Sequence, residues 1–167
     1  AAGVAFRHSF YFEVQGACMS YRQHYLSLDP TYKDGFGRPL LRMNFDWHDN
    51  EIKASQFLVG KALEMSKILN PTAMAGDAKK PGEHYNITKY QSTHTCGGAI
   101  MGSDPKTSAL NRYLQSWDVH NVFAIGAHAF PQNNGYNPTG MVGALAYWSA
   151  RAIREQYLKN PGPLVQA

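Results

Sequence analysis

Between residues 10 and 16, Phe10, Phe12 and Val14 alternate with Tyr11, Glu13 and Gln15, a period of two that predicts a half-buried strand. Residues 24–28 form a second strand candidate. Pro30, Asp34, Gly35, Gly37 and Pro39 then supply turn chemistry, and Leu41, Met43, Phe45 and Trp47 restore the alternation over 40–47, so these runs predict an antiparallel hairpin with a long loop. Asp49 or Asn50 can cap a helix in which Ile52, Phe57, Leu58, Ala62, Met65 and Leu69 recur at near-helical spacing. Asn70-Pro71 stops it, which places the helix at 49–69. Residues 70–84, rich in Pro, Ala, Gly and Lys, read as a loop, and 85–90 as a short strand. An apolar run over 119–125 reads as a strand ending at Gly126, and a last helix runs to about Tyr157 with Val142, Leu145, Ala146, Ser149, Ala152 and Ile153 as its packed stripe. Strands, helix, strands and helix in mixed order predict an α+β fold rather than a regular βαβ series.

Composition narrows the function classes. A chain of 167 residues, 44% of them hydrophobic, is long enough to bury a real core. The net charge of +4 would suit an acidic partner, but the 16 basic residues are scattered, with Lys79-Lys80 the only adjacent pair, so nucleic acid is not an expected partner. Cys18 and Cys96 form no Cys-x-x-Cys and could make at most one disulfide. No run approaches the ~18 to 20 apolar residues of a membrane helix. Residues 1–7 have neither the basic n-region nor an adequate apolar h-region of a secretory signal, and a true N-terminus further upstream would leave export open. His8, His24, His48, His84, His120 and His128 show no His-x-x-x-His or His-Glu-x-x-His spacing, and no metal site is expected. Among these, His128 carries the most weight, since it follows the predicted strand that ends at Gly126.

Two loops carry the candidate chemistry. The first is Ser92-Thr93-His94-Thr95-Cys96-Gly97-Gly98, in which a histidine lies beside small residues that permit close approach of the backbone to a ring. Taken alone, a histidine beside glycines is more often structural. The second is Gly135-Tyr136-Asn137-Pro138-Thr139-Gly140, which is also good helix-start chemistry, with Asn at the N-cap and Pro at the first helical position. Cys96 reads as a small buried residue rather than a thiol nucleophile, because nothing nearby argues for a thiolate.

These two loops, the apolar run between them and the helix behind them resemble the C-terminal region of the glucose-methanol-choline (GMC) family of FAD-dependent alcohol oxidoreductases. The stretches 28–40, 45–51 and 157–164 also resemble the subgroup of bacterial gluconate, sorbitol and related sugar dehydrogenase flavoprotein subunits, so the likeness covers nearly the whole chain. Members open with a strand, a Gly-x-Gly-x-x-Gly turn and a helix that hold the FAD pyrophosphate. That turn is missing here: Gly35-Phe36-Gly37-Arg38-Pro39-Leu40 ends in Leu, and its Pro39 stands where a phosphate-binding helix would begin, so it reads as a turn between strands.

The resemblance therefore implies the C-terminal part of a longer enzyme, with residues 1–90 in the substrate domain and 91–167 returning to the FAD domain. It assigns His94 as the base that takes the hydroxyl proton of an alcohol while hydride leaves for flavin N5, a task suited to a side chain with a pKa near ~6.5. It assigns Asn137 as the amide that donates a hydrogen bond to the substrate oxygen, and Gly126, Ala127, Asn137, Pro138 and Thr139 as contacts of FAD. Its implied substrate is a sugar, polyol or sugar acid. The implied partners are the missing N-terminal FAD-binding part, a small subunit and a cytochrome subunit at the periplasmic face of the bacterial inner membrane, which points to a dehydrogenase rather than an oxidase. A noncatalytic carbohydrate-binding or interaction module that has lost the flavin clamp is the rival reading; a base opposite an amide favours the enzyme.

Overall fold

The computed structural model describes residues 8–90 and 92–166. The chain divides into two compact units, one formed by Ala1–Gly16 with Trp47–His84 and the other by Ala17–Asp46 with Tyr85–Ala167.

In the first unit, helix α1 spans Asp49–Ser66 and tightens into a 3-10 turn at Lys67–Leu69, close to the expected 49–69. Asn70 then adopts a left-handed conformation at φ 47°, and Pro71 ends any continuation. The N-cap lies one residue earlier than the expected Asp49 or Asn50. His48 is the N-cap, because its N–H donates to the carboxylate of Glu51 at 3.2 Å in a capping box that places a buried acid at the positive helix end. Segment 70–84 is a loop, as expected, and it is strapped to the helix. Lys79 donates its N–H to Ser55 Oγ at 3.1 Å, and Gln56 donates its amide to the Lys79 carbonyl at 3.1 Å. Gly76 lies so close to the helix that a Cβ there would stand 2.6 Å from Val59 Cγ1.

The alternation over 10–16 does not become a strand. Phe10 and Phe12 meet edge to face at 5.4 Å, yet no described segment pairs with this run, and its apolar positions stay 37 to 54% exposed. A period of two places side chains on faces, whereas a strand also requires a partner for its N–H and C=O groups.

The second unit holds two antiparallel two-stranded sheets. Strand β1, Ala17–Cys18, pairs with β4, Asn133–Asn134, so that Cys18 faces Asn133. Strand β2, Tyr25–Lys33, pairs with β3, Pro39–Asn44, with Leu26 opposite Met43 and Leu28 opposite Leu41. This is the expected hairpin with a shorter loop. The residues around Pro30 form a bulge in the strand instead of the turn, and Asp29 Oδ1 satisfies the freed N–H groups of Thr31 and Tyr32 at 2.8 Å each. The turn itself closes on Asp34, whose Oδ1 accepts the N–H groups of Phe36 and Arg38, while Gly37 takes φ +80°.

Two further strand expectations need correction. Residues 85–90 turn: Asn86 Oδ1 accepts the Thr88 N–H at 2.9 Å and the Asn86 carbonyl accepts from Lys89 and Tyr90, so a local Asx turn wins over a ladder. Tyr85 is held elsewhere, with its N–H on Asp46 Oδ1 at 2.7 Å and its ring against Phe45. The run 119–125 likewise forms no strand. Ser116 Oγ draws in the N–H groups of Asp118 and Val119, Val122 bonds back to Val119, and only Phe123 reaches a bridge, to Gln115. Val119, Val122 and Ile125 remain 41 to 49% exposed, and the run had no second ladder to join.

The core of this unit is small: Leu110, Leu114 and Ala129, with Met101, Ala124 and Leu145 packed against it. Leu145 comes from helix α2, Thr139–Ala152, which continues as a wider π-type turn at Ile153–Tyr157 and ends where expected. Its half-buried and buried positions are 142, 145, 146, 149, 152 and 153 among others, the predicted stripe. Two helices and two small antiparallel sheets among the described residues make the chain α+β.

Polar atoms are buried beside this core. Gln115 is fully buried, and its amide donates to the carbonyls of His120 at 2.7 Å and Gly162 at 2.8 Å. Its Oε1 accepts from Asn111 Nδ2 at 3.1 Å and from the Leu164 N–H at 2.8 Å, so one side chain fastens the C-terminal tail. A Gln115→Leu substitution fills the volume but strands several buried partners, at about 1–3 kcal/mol for each left unsatisfied. Chemical denaturation should report a loss of about 2–4 kcal/mol, and hydrogen exchange should show the Leu164 amide losing protection. An unchanged midpoint with that amide still protected would mean that apolar contacts hold the tail.

Candidate functional site

The site is framed by backbone. Residues 97–101 run along the short turn Ala127–Ala129, with the N–H groups of Gly97, Ala99 and Met101 donating to the carbonyls of Ala127, His128 and Ala129 at 3.1, 3.2 and 2.9 Å. These bonds bring the His94-bearing loop beside the segment at Gly126-Ala127. Gly97 and Gly98 take φ of +85° and +107°, conformations that disfavour a side chain. A Cβ on Gly98 would also stand 2.9 Å from Leu26 Cδ1, so strand β2 approaches this loop closely.

His94 is held at both ends of its backbone. Its N–H donates to Ser92 Oγ at 3.1 Å, and its carbonyl accepts Asn133 Nδ2 at 2.8 Å and the Cys96 thiol at 3.4 Å. The side chain is half-buried, and no described residue hydrogen-bonds its imidazole. A fixed backbone with an uncommitted ring suits a group that must receive a proton from something not yet bound.

Asn137 departs from the cap that its position suggested. Helix α2 begins at Thr139 with Pro138 as its N-cap and no side-chain cap hydrogen bond. The physical reason is the backbone: Pro138 already sits in the helical region at φ −80°, ψ −15°, and its carbonyl accepts the Val142 N–H, so Asn137 lies one residue too early. Its exposed carboxamide has no hydrogen-bond partner among the described residues. Among the described residues no side chain caps the first turn of α2, and open space lies where a side chain on Gly140 would stand.

Gly126 is extended, and a Cβ there would meet the His128 ring at 2.9 Å, so the absence of a side chain serves the packing of His128. Nε2 of His128 is buried without a hydrogen-bond partner among the described residues. Burial pushes the Cys96 thiol above its ordinary pKa, the opposite of what a thiolate nucleophile requires. The described residues contain no group of three or more His, Cys, Asp and Glu placed to hold a metal ion.

Sequence reading missed Asn133. Besides reaching His94, its Oδ1 accepts the Gly135 N–H at 2.9 Å, and Gly135 turns through φ +63°. Asn133-Asn134-Gly135 signals a turn in sequence, but nothing local marks a side chain whose partner lies 39 residues away.

Comparison with known proteins identifies the family. A family model for the C-terminal domain described as GMC oxidoreductase matches residues 21–146. The chain is 62% identical over all 167 residues to a gluconate 2-dehydrogenase flavoprotein from Pantoea cypripedii, covering 27% of that protein. It is 29% identical over 132 residues, 79% of this chain and 23% of the relative, to a 2-methyl-1,2-propanediol dehydrogenase from Mycolicibacterium austroafricanum. To the fructose dehydrogenase large subunit of Gluconobacter japonicus it is 25% identical over 130 residues, 77% of this chain and 22% of the relative. The chain thus spans about a quarter of the length of these relatives. With a family model over most of its length and a fold of the expected α+β class, the chain belongs to the GMC oxidoreductase family, within its C-terminal portion.

Proposed function

We propose that this chain supplies the catalytic C-terminal part of an FAD-dependent dehydrogenase that oxidises an alcohol group of a sugar, polyol or sugar acid. The observation that carries the reading is the pair His94 and Asn137: two polar side chains without partners among the described residues, on loops whose backbones are fastened to the same frame. A binding module has no need of an uncommitted base. The relatives' names point the same way, since they include dehydrogenases of gluconate, a diol and fructose.

The residues present fit the cofactor. An uncapped helix start offers N–H groups and a positive dipole end to an electron-rich edge. Open space at Gly140 leaves that end accessible, and the side-chain-free backbone at Gly126 and the small Ala127 allow a close approach. Gly126, Ala127, Asn137, Pro138 and Thr139 are the residues that would hold it. Bound FAD supplies the acceptor for hydride.

His94 does the proton chemistry. Its free nitrogen accepts the substrate hydroxyl proton as the carbon-bound hydrogen departs with its electron pair, so the alcohol carbon is left as a carbonyl. Asn137 donates its amide N–H to the same oxygen and orients the C–H bond. The N–H groups at the start of α2 oppose the negative charge that accompanies reduction.

By the same reading, residues 1–90 lie in the substrate domain and 91–167 in the FAD domain of the whole protein. The partners are its N-terminal FAD-binding part and, by likeness to sugar dehydrogenases, a small subunit and a cytochrome subunit at the periplasmic face of the inner membrane.

His94→Ala in the whole flavoprotein should leave FAD bound and lower the rate of flavin reduction by about 10² to 10⁴, the range of general-base catalysis. Stopped-flow absorbance at saturating gluconate and, separately, at other polyols measures this. An unchanged rate with every substrate that reduces the wild type would remove His94 from the mechanism.

Asn137→Asp makes a separate demand. Because Asn137 caps nothing, the substitution should leave the melting temperature near native, and an ionised carboxylate cannot donate to the alcohol oxygen. Flavin reduction should slow by on the order of 10² to 10³, as when one oriented donor is lost. Retained reduction would reduce the site to His94.

A further inference from the structure

Asn133 uses both ends of its carboxamide, and each end holds a different half of the proposed site. Nδ2 donates to the carbonyl of His94 at 2.8 Å and lies 3.9 Å from Cys96 Sγ, while Oδ1 accepts the Gly135 N–H at 2.9 Å. The first bond fixes the backbone from which the imidazole projects. The second shapes the left-handed turn at Gly135 that leads, two residues later, to Asn137. Asn133 is itself immobilised by the ladder, where it faces Cys18 across the β1–β4 pair. A carbonyl acceptor on one side and an N–H donor on the other define the orientation of the amide, and only a side chain with one donor and one acceptor in a plane satisfies both.

We propose that Asn133 is a positioning residue for alcohol oxidation, setting the His94 imidazole relative to the Asn137 carboxamide through these two hydrogen bonds. This rests on the proposed roles of His94 and Asn137. A base and an oxygen-binding donor act on one hydroxyl only when their separation is held, and a misplacement of about 1 Å can cost 10²-fold in rate. Neither loop contains regular structure between Ser92 and Ile100 or between Gly135 and Pro138, so local helices and strands do not set that separation.

The test is a double-mutant cycle in the whole flavoprotein, read as the limiting rate of flavin reduction. Asn133→Asp keeps the size and the Gly135 acceptor but places an acceptor against the His94 carbonyl; Asn133→Ala removes both bonds without adding charge. Each should retain FAD, shown by its visible spectrum, keep the apparent dissociation constant for substrate within about threefold, and reduce flavin about 10²-fold more slowly. In a His94→Ala background Asn133→Asp, which disturbs only the bond to the His94 carbonyl, should not slow it further, because what it misplaces is already gone. Equal losses from Asn133→Asp in both backgrounds would overturn the proposal. So would wild-type rates in both Asn133 variants, or loss of flavin or of folding by both, which would make Asn133 a purely structural residue. Failure of His94→Ala alone to slow reduction would instead strike the proposed function, and is read from a separate corner of the cycle.

Discussion

The three backbone hydrogen bonds from residues 97–101 to the carbonyls of the turn Ala127–Ala129 are the constraint on which the second unit depends. One side of that contact leads to His94. The other leads to the core, because Ala129 is completely buried against Leu110 and Leu114, and Met101 packs on the same cluster. A core this small stabilises weakly by area, at roughly 25 cal/mol per Å² of apolar surface. Backbone pairing and buried amides must then do much of the specifying. The glycines follow from this: Gly97 and Gly98 let the chain turn into the contact at positive φ, and Gly126 leaves room for the His128 ring as the chain enters the turn.

Buried polar groups serve the same end elsewhere. Asn111, Gln115 and Ser149 are almost wholly inaccessible, and each has a partner: Gln115 on the tail and Asn111, Ser149 on the Tyr113 carbonyl. The net contribution of such a bond is modest, about 1 kcal/mol, but leaving one unmade costs more. The asymmetry penalises alternative packings more than it rewards the native one. It explains how a stretch with little regular structure between residues 101 and 126 is held in one course.

The sequence was most legible where the pattern and its punctuation agreed. Helix α1 carries an apolar period and ends at Asn70-Pro71; helix α2 follows Asn137-Pro138; the hairpin alternates on either side of Asp34 and Gly37. Strands were misread where pattern stood without a partner. The runs at 10–16 and 119–125 have the side chains of strands, but pairing is a property of a second segment that their own residues do not encode. At 85–90 the competing interaction was visible, since Asn86 is a turn former, and it outweighed a brief apolar run. Of the candidate site, the His94 loop, Gly126-Ala127 and the Asn137 loop were legible as candidates through likeness to a family. Asn133 was not, because a long-range bond from a side chain to a carbonyl has no sequence period.

Asn137 shows how one residue type can satisfy two signals while serving only one. Asn before Pro before Thr is favourable helix-start chemistry, and a cap at Asn137 would have committed its oxygen to an N–H of the first turn. Pro138 removes that demand by entering the helical region itself, so the helix begins one residue later and the amide stays uncommitted. The result keeps two kinds of donor at one place: the carboxamide, which can meet an alcohol oxygen, and the bare N–H groups of Thr139 and Gly140, which can meet a delocalised negative charge. A cap at Asn137 would have fixed the carboxamide against the helix and occupied one of those N–H groups. Leaving the helix end uncapped costs stability of about 1 kcal/mol, and the role proposed for that end, stabilising charge that appears only during reaction, would account for a helix left in that state.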